Sequence, residues 1–193
     1  MMYLFKKLMY LIFCKLVFNV KYVNKNIEEN IGKCLVCPNH VCFADPIFIF
    51  VAMKDIAMMG KSELFKNKIV AFVAKCFKIF PIKRGEKDAK SILHSVNVLK
   101  DNKAERLLIF PEGTRIKDGK RVKGKIGATY VALKANVPIL PVRIIKKHEH
   151  RTIFTSVTVI YGNPVFLDND KIKDKEYMQI ITDKILDDIY ELS

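Results

Sequence analysis

Short apolar runs alternate with longer segments of helical periodicity along this chain, and the alternation limits the folds open to it. Runs rich in Val, Ile and Leu occur at 33–38, 56–59, 76–82, 106–110, 139–145 and 155–161. Segments with apolar residues at helical spacing occur at 45–53, 64–75, 87–100, 125–135 and 174–190. Strands that alternate with helices usually form a largely parallel sheet with helices on its faces. We therefore expect one α/β domain with a mixed, largely parallel sheet covered by helices.

The chain is strongly basic, and this limits the classes of partner that it is expected to bind. Its 193 residues suit one domain with a substantial core. The 34 Lys and Arg against 20 Asp and Glu give a formal net charge of +14. Such an excess attracts polyanions, either nucleic acid or an anionic lipid surface. The charge is spread along the chain and no aromatic–basic recognition motif is present, which favours the lipid surface.

Residues 1–22 are mostly large and apolar, with lysines at positions 6, 7, 15 and 21. No uncharged run reaches the roughly 18 residues that a membrane-spanning helix needs. A secretory signal peptide would need a longer apolar region and a small-residue cleavage site. On a helical wheel the lysines fall within an arc of about 180°, which is typical of a helix lying in a membrane interface. We predict an amphipathic interface helix over 1–22, followed by the domain over 23–193; the alternative is that this helix packs on its own domain.

The chain has five cysteines, and this odd number does not suit a disulfide framework. It favours reduced thiols in a cytosolic setting. Cys34, Cys37 and His40 have a spacing that could suggest zinc. Residues three apart on a strand point to opposite faces, so the two thiols would not converge. No second Cys/His pair completes a set of four ligands. We therefore expect no metal.

The string Asn39 to Asp45 contains a candidate general base. On one regular helix His40 and Asp45 would lie about 140° apart. They can meet if His40 lies in the loop after a strand and Asp45 caps the next helix, and the predicted elements give that arrangement. A carboxylate on one imidazole nitrogen leaves the other free to accept a proton from a hydroxyl group. The alternative is an ordinary Asp-Pro helix start beside a polar surface histidine.

The string 110–115, Phe-Pro-Glu-Gly-Thr-Arg, follows a predicted strand. Pro111 and Gly113 are good turn residues, but a turn requires neither the Thr114 hydroxyl nor Arg115. Backbone N–H groups and an arginine fork in such a loop bind phosphate well. A base beside a phosphate site, on a basic chain with an apolar start, predicts chemistry on a phosphorylated lipid.

Four ordered blocks resemble the glycerolipid acyltransferase family, which includes 1-acyl-sn-glycerol-3-phosphate acyltransferases. They lie at 39–45, 80–85, 110–115 and 137–142, and shorter matches surround Lys61, Lys125 and the Gly-x-Pro turn at 162–164. The third block matches in every residue. The first carries Cys42 where the family often has Ser. The second has Phe-Pro-Ile-Lys-Arg, ending at Arg84, in place of the usual Gly and Asp-Arg pair.

The resemblance implies the glycerol-3-phosphate acyltransferase-like fold and a direct acyl transfer. His40 would take the proton of the sn-2 hydroxyl of lysophosphatidate, whose oxygen would attack the thioester of acyl-CoA or acyl carrier protein. Asp45 would orient His40. No metal, cofactor or covalent acyl-enzyme is implied. The acceptor site would include Arg84, Glu112, Gly113, Thr114 and Arg115, with Lys61 and Lys125 as further cations.

The same resemblance implies a peripheral protein on the cytoplasmic face of the cell membrane. Its partners would be the lipid surface, lysophosphatidate and the acyl thioester, with no nucleic acid. Abundant Lys, Ile and Asn suit an AT-rich bacterial genome. Two alternatives stay open: another acceptor, such as a different lysophospholipid or glycerol-3-phosphate, or a non-catalytic basic protein that binds membranes or nucleic acid.

Overall fold

The computed structural model describes residues 2–82, 89–116, 121–148 and 153–193. The strands are β1 (Val20–Val23), β2 (Cys34–Pro38), β3 (Ile56–Lys61), β4 (Ile79–Ile82), β5 (Arg106–Leu108), β6 (Ile139–Lys146) and β7 (Val157–Tyr161). The α-helices are α1 (Met2–Met9), α2 (Lys25–Asn30), α3 (Asp45–Ala52), α4 (Lys68–Cys76), α5 (Ala89–Lys100), α6 (Gly127–Ala135) and α7 (Lys175–Glu191). A π-helical segment, Tyr10–Val17, continues α1, and short 3-10 turns cover Ser62–Lys66 and Asn169–Lys171.

All seven strands join one sheet in the order β1-β7-β6-β2-β5-β3-β4. The five strands from β6 to β4 are parallel to one another. Strand β7 runs antiparallel to β6, and β1 runs parallel to β7. The predicted mixed, largely parallel sheet is confirmed. Every residue of the central strand β2 is buried, as expected for an apolar strand with helices on both faces.

Two apolar clusters cover the two faces of the sheet. One contains the residues from α3 and the N-terminal helical segment, and the other contains those from α5, α6 and α7. Cys34 belongs to the first cluster and Cys37 to the second. The two thiols therefore point to opposite faces, as their spacing on a strand predicts.

The predicted helix over 1–22 is wrong at its C-terminal end, because the helical segment stops at Val17. The Phe18 N–H donates to the Phe13 carbonyl at 2.9 Å, and Asn19 adopts a positive φ of 42°. Asparagine tolerates this left-handed region better than most residues, so the chain turns there. Residues 20–23 then form β1 and pair with β7. The predicted boundary at residue 22 therefore falls inside a strand of the sheet.

One side of the N-terminal segment packs on the domain. Phe18 is buried, and its ring meets Phe48 edge-on with centroids 4.9 Å apart. The Lys6 amine donates to the Met53 carbonyl at 2.6 Å and lies 4.2 Å from the centre of the Phe50 ring. Burial lowers the pKa of Lys6 to about 8. The packing alternative thus describes this side, and Lys6 faces the protein rather than solvent.

The remaining predicted elements are present, with some ends shifted. The short helix α2 lies between β1 and β2, where no element was predicted. The helix expected at 64–75 is a 3-10 turn followed by α4, and the strand expected at 76–82 begins at Ile79. Within the described ranges, no helix is both long enough and apolar enough to cross a membrane.

Candidate active site

Asn39, the first residue after β2, fixes where the chain leaves the sheet. Its backbone N–H donates to the Val142 carbonyl at 3.3 Å. Its side-chain amide donates to the Ile144 carbonyl at 3.0 Å and accepts from the Ile144 N–H at 2.6 Å. The buried side chain thus continues the pairing with β6 while the backbone turns away. The sequence identified Asn39 only as part of a motif and predicted no role for it.

His40 and Asp45 meet as their placement at a strand end and a helix start predicts. The His40 Nδ1 and Asp45 Oδ2 atoms are 2.8 Å apart, and Asp45 is fully buried. The same oxygen accepts the backbone N–H groups of Val41 and Cys42, each at 2.7 Å. These donors stabilise a buried carboxylate charge. The Asp45 carboxylate accepts a hydrogen bond from Nδ1–H, so a neutral His40 ring carries its proton on Nδ1. Nε2 is then free to accept a proton.

The expected N-cap role of Asp45 is wrong. Asp45 is the first residue of α3, and the preceding Ala44 provides no side-chain cap. The carboxylate turns back toward residues 40–42 because the donors described above lie there. Pro46 in the first turn lowers the need for a cap, since it has no N–H to satisfy.

The Cys42 thiol also orients Asp45. Its sulfur donates to Asp45 Oδ1 at 2.9 Å. Burial, and after it the charge of Asp45, raises the pKa of the Cys42 thiol to about 12. The thiol therefore stays protonated at neutral pH and remains a donor. Cys42 thus supplies to Asp45 the kind of donor that a serine hydroxyl would supply.

The plane of the His40 ring is set by Phe110, which begins the third block. The two rings stack with centroids 4.0 Å apart and planes 20° from parallel. In the part of the chain that the structure describes, no hydrogen bond reaches His40 Nε2. Asp45 and Phe110 together hold the imidazole so that this nitrogen can accept a proton.

The loop 110–116 binds both backbone polar groups of His40. The His40 N–H donates to Glu112 Oε2 at 2.9 Å, and the Ile116 N–H donates to the His40 carbonyl at 2.8 Å. Arg115, which directly precedes Ile116, is exposed. The two strings singled out in the sequence therefore form one structural unit.

Glu112 does not have the place expected of an acceptor-site residue. It is 2% exposed, and both of its carboxylate oxygens engage the protein. Oε2 accepts from His40, and Oε1 accepts from the Tyr190 hydroxyl of α7 at 2.6 Å. Burial raises the pKa of Glu112, while the hydrogen bonds from Tyr190 and His40 oppose that rise. The sequence missed Tyr190, since no spacing rule connects residue 190 to residue 112.

Gly113 allows Lys125 to lie across the turn 110–115, which we call the arginine turn because it ends at Arg115. Gly113 has a φ of +69°, and its N–H donates to the Phe110 carbonyl at 3.0 Å. A Cβ atom at this position would lie 2.6 Å from the Cδ and Cε atoms of Lys125. The Lys125 N–H donates to the Pro111 carbonyl at 2.8 Å. The Lys125 amine therefore lies beside this turn. The two residues after Gly113 are exposed, and they add the Thr114 hydroxyl and the Arg115 guanidinium.

These groups lie at the edge of the sheet where parallel strands end, which is where α/β sheets bind ligands. His40 follows β2, the arginine turn follows β5, and Lys61 is the last residue of β3. Arg84, expected in the acceptor site, lies outside the described residues. The fourth block leads into β6, where the Val142 carbonyl accepts from Asn39, so it supports the site.

Comparisons with known proteins identify the family of this chain. The family model described as Acyltransferase matches residues 19–145, and the chain therefore belongs to the acyltransferase family. This confirms the resemblance identified from the four blocks.

Two curated relatives are named 1-acyl-sn-glycerol-3-phosphate acyltransferase. The relative from Streptococcus pneumoniae is 32% identical over 165 residues, which cover 83% of this chain and 59% of the relative. The relative from Bacillus subtilis is 29% identical over 179 residues, which cover 90% of this chain and 87% of the relative. The chain thus spans about three fifths of the first relative and most of the second.

A crystal structure shares the fold. The 1-acyl-sn-glycerophosphate (LPA) acyltransferase PlsC from Thermotoga maritima matches with a TM-score of 0.67 at 23% identity. The match covers 86% of this chain and 68% of that chain. It supports the α/β architecture described above.

The substitution Gly113→Ala tests the arrangement of the turn. We expect it to lower acyl-transfer activity by about 10- to 100-fold, because the new methyl group displaces the Lys125 side chain. The control is Gly32→Ala, since Gly32 has a φ of +70° and a Cβ there meets nothing within 4 Å.

Both substitutions strain the backbone by about 1–2 kcal/mol, and denaturant unfolding measures that loss. Steady-state acyl transfer then separates them, with activity lost in Gly113→Ala alone. An equal loss of activity in the two variants would mean that the contact between Gly113 and Lys125 has no functional effect.

Proposed function

We propose that this chain transfers an acyl group from a thioester to the sn-2 hydroxyl of lysophosphatidate and so forms phosphatidate. The observation that carries the proposal is the pair of hydrogen bonds that join the His40 backbone to the loop 110–116. A base and an arginine turn fixed to each other suit an acceptor whose phosphate and free hydroxyl lie on adjacent carbons. The names of the two curated relatives support the same acceptor.

In the proposed reaction His40 Nε2 takes the proton of the acceptor hydroxyl as its oxygen attacks the thioester carbonyl. The tetrahedral intermediate collapses, the carbon–sulfur bond breaks, and the imidazolium returns the proton to the leaving thiolate. Asp45 stabilises the imidazolium across the 2.8 Å hydrogen bond at Nδ1. As the family resemblance implies, we propose that no metal or cofactor takes part. Acyl-CoA or acyl carrier protein would serve as the donor in this step of phospholipid synthesis.

Arg115 and Lys125 would hold the acceptor phosphate through charge-assisted hydrogen bonds, each worth about 1.5–3 kcal/mol. Arg115 is exposed on the turn, and in the described part of the chain it has no ion pair that competes for a phosphate. We propose a smaller part for Lys61, as a cation at the end of β3, and Thr114 would add a hydroxyl donor.

Removal of the base provides the first test. We expect purified protein with lysophosphatidate and a mixture of acyl-CoA and acyl carrier protein thioesters to form phosphatidate, detected by mass spectrometry. His40→Ala should lower the rate by about 10²–10⁴-fold, the usual contribution of a general base. The control His94→Ala removes an exposed ring on α5 that packs against Phe80.

Assays with glycerol-3-phosphate and with other lysophospholipids identify the preferred acceptor. Product formation that is undiminished in His40→Ala would remove the assignment of the base. If the wild-type protein acylates none of these acceptors, it is not an acyltransferase of this kind.

Arg115→Ala tests the phosphate site. We expect the KM for lysophosphatidate to rise by about tenfold or more, because one charge-assisted hydrogen bond is lost, while the KM for the acyl donor stays the same. Activity toward a phosphate-free monoacylglycerol should not change. Lys134→Ala, which removes an exposed charge from the last turn of α6, should leave all three values unchanged. A parallel rise in the KM of donor and acceptor would give Arg115 a structural role instead.

We also propose that the N-terminal segment attaches the protein to the cytoplasmic face of the cell membrane. The side of this segment that faces away from the domain exposes large apolar residues, namely Tyr3, Leu4, Leu8, Leu11, Ile12 and Leu16. Lys7 and Lys15 are exposed in the same segment, and both would face anionic headgroups. Since residues 20–23 form β1, a deletion of 1–22 would damage the sheet, and point substitutions are the better test.

The triple substitution of Leu4, Leu8 and Leu11 by Ser is expected to lower binding to vesicles that contain anionic lipid by more than about tenfold. Each buried leucine side chain contributes about 1.5–3 kcal/mol to such binding. The control replaces three exposed apolar residues elsewhere, Leu93, Phe166 and Ile180, by Ser. Vesicle flotation measures both, and equal binding by the two variants would place the attachment surface elsewhere.

A further inference from the structure

Tyr190, near the C-terminal end of α7, is held at three points. Its hydroxyl donates to Glu112 Oε1 at 2.6 Å. Its carbonyl accepts from Arg143 of β6, which also donates to the Leu192 carbonyl at 2.6 Å. The Arg121 guanidinium lies 5.6 Å from the centre of its ring. The hydroxyl therefore has a fixed position beside the Glu112 carboxylate.

Glu112 connects this hydroxyl to the candidate base. One carboxylate oxygen accepts from Tyr190, and the other accepts from the His40 backbone N–H at 2.9 Å. A buried carboxylate keeps its charge only while such donors compensate for the lost water.

We propose that Tyr190 is a positioning residue for acyl transfer: its hydroxyl holds Glu112 as the anion that binds the backbone N–H of His40. The proposal rests on the proposed function of His40 as the base. In this proposal Tyr190 acts through Glu112 and takes no direct part in the proton transfer.

The sign of the pH effect follows from the surroundings of Glu112. Burial raises the pKa of Glu112, and the hydrogen bond from Tyr190 is the largest influence that opposes the rise. The other groups that face this pair are His40 and Asp45 at Glu112, and Arg121 and Arg143 at Tyr190. Loss of the Tyr190 hydroxyl therefore raises the pKa of Glu112 further. As the pH falls through that pKa, His40 loses its charged acceptor and a neighbouring negative charge.

Tyr190→Phe tests this inference, with Tyr177→Phe as the matched control. Tyr177 lies on the same helix, and its hydroxyl accepts from the Asp168 N–H at 3.1 Å, so the same atom is removed from a different contact. The first measurement is the backbone N–H signal of His40 in a ¹⁵N NMR titration of the full chain, because this group donates to Glu112. We expect the inflection of that signal to move to higher pH in Tyr190→Phe and to stay in place in Tyr177→Phe.

The second measurement is the pH dependence of kcat for acyl transfer. Tyr190→Phe should lower kcat by roughly tenfold, since a hydrogen bond to a charged group is lost, and the loss should grow as the pH falls. The KM for the acyl donor should not change. Glu112→Gln, which cannot titrate, should remove the His40 N–H inflection.

An unmoved inflection in Tyr190→Phe would overturn the inference. A moved inflection with unchanged kcat would also overturn it, because the contact would then be structural only. Absence of acyl transfer by the wild-type protein would refute the proposed function, and the NMR titration would still decide whether Tyr190 controls the charge of Glu112.

Discussion

The site depends on two hydrogen bonds between the backbone of His40 and the loop 110–116. A catalytic side chain in a loop is only as well placed as its backbone, and His40 has its N–H and its carbonyl both bound. The same loop presents Phe110, which stacks on the imidazole, and Arg115, which extends toward solvent. The geometry between His40 and Arg115 is therefore not set by two loops that move separately. It is set by a single unit, in which the residues that follow β2 are hydrogen-bonded to the loop that follows β5.

Much of the architecture could be predicted from the sequence because the sheet is regular. Continuous apolar runs gave the inner strands, and helical periodicity gave α5 and α7 to within two residues. The errors lie where a distant partner decides the structure. Residues 20–23 are as apolar as the helix before them, and only pairing with β7 makes them a strand. Asn19, with its positive φ, is the local signal that marks the break.

The site shows the same division. The pairing of His40 with Asp45 could be predicted, since it needs only a strand end, a short loop and a helix start. The roles of Glu112 and Tyr190 could not be predicted. Residue type and spacing do not show that the acidic residue of a motif is buried, or that it accepts a hydrogen bond from a residue 78 positions later. Cys42 is a related case, because residue type alone does not show whether a small buried residue fills space or donates a hydrogen bond, as this thiol does to Asp45.

The position of β1 has a consequence for how the chain is made. Its partner β7 begins at Val157, 137 residues after β1 begins at Val20, so this edge strand is synthesised long before the strand that it pairs with. At roughly 5–20 residues per second, the ribosome takes on the order of 7–28 s to cover that interval. Until β7 is made, the backbone groups of β1 lack the strand with which they pair.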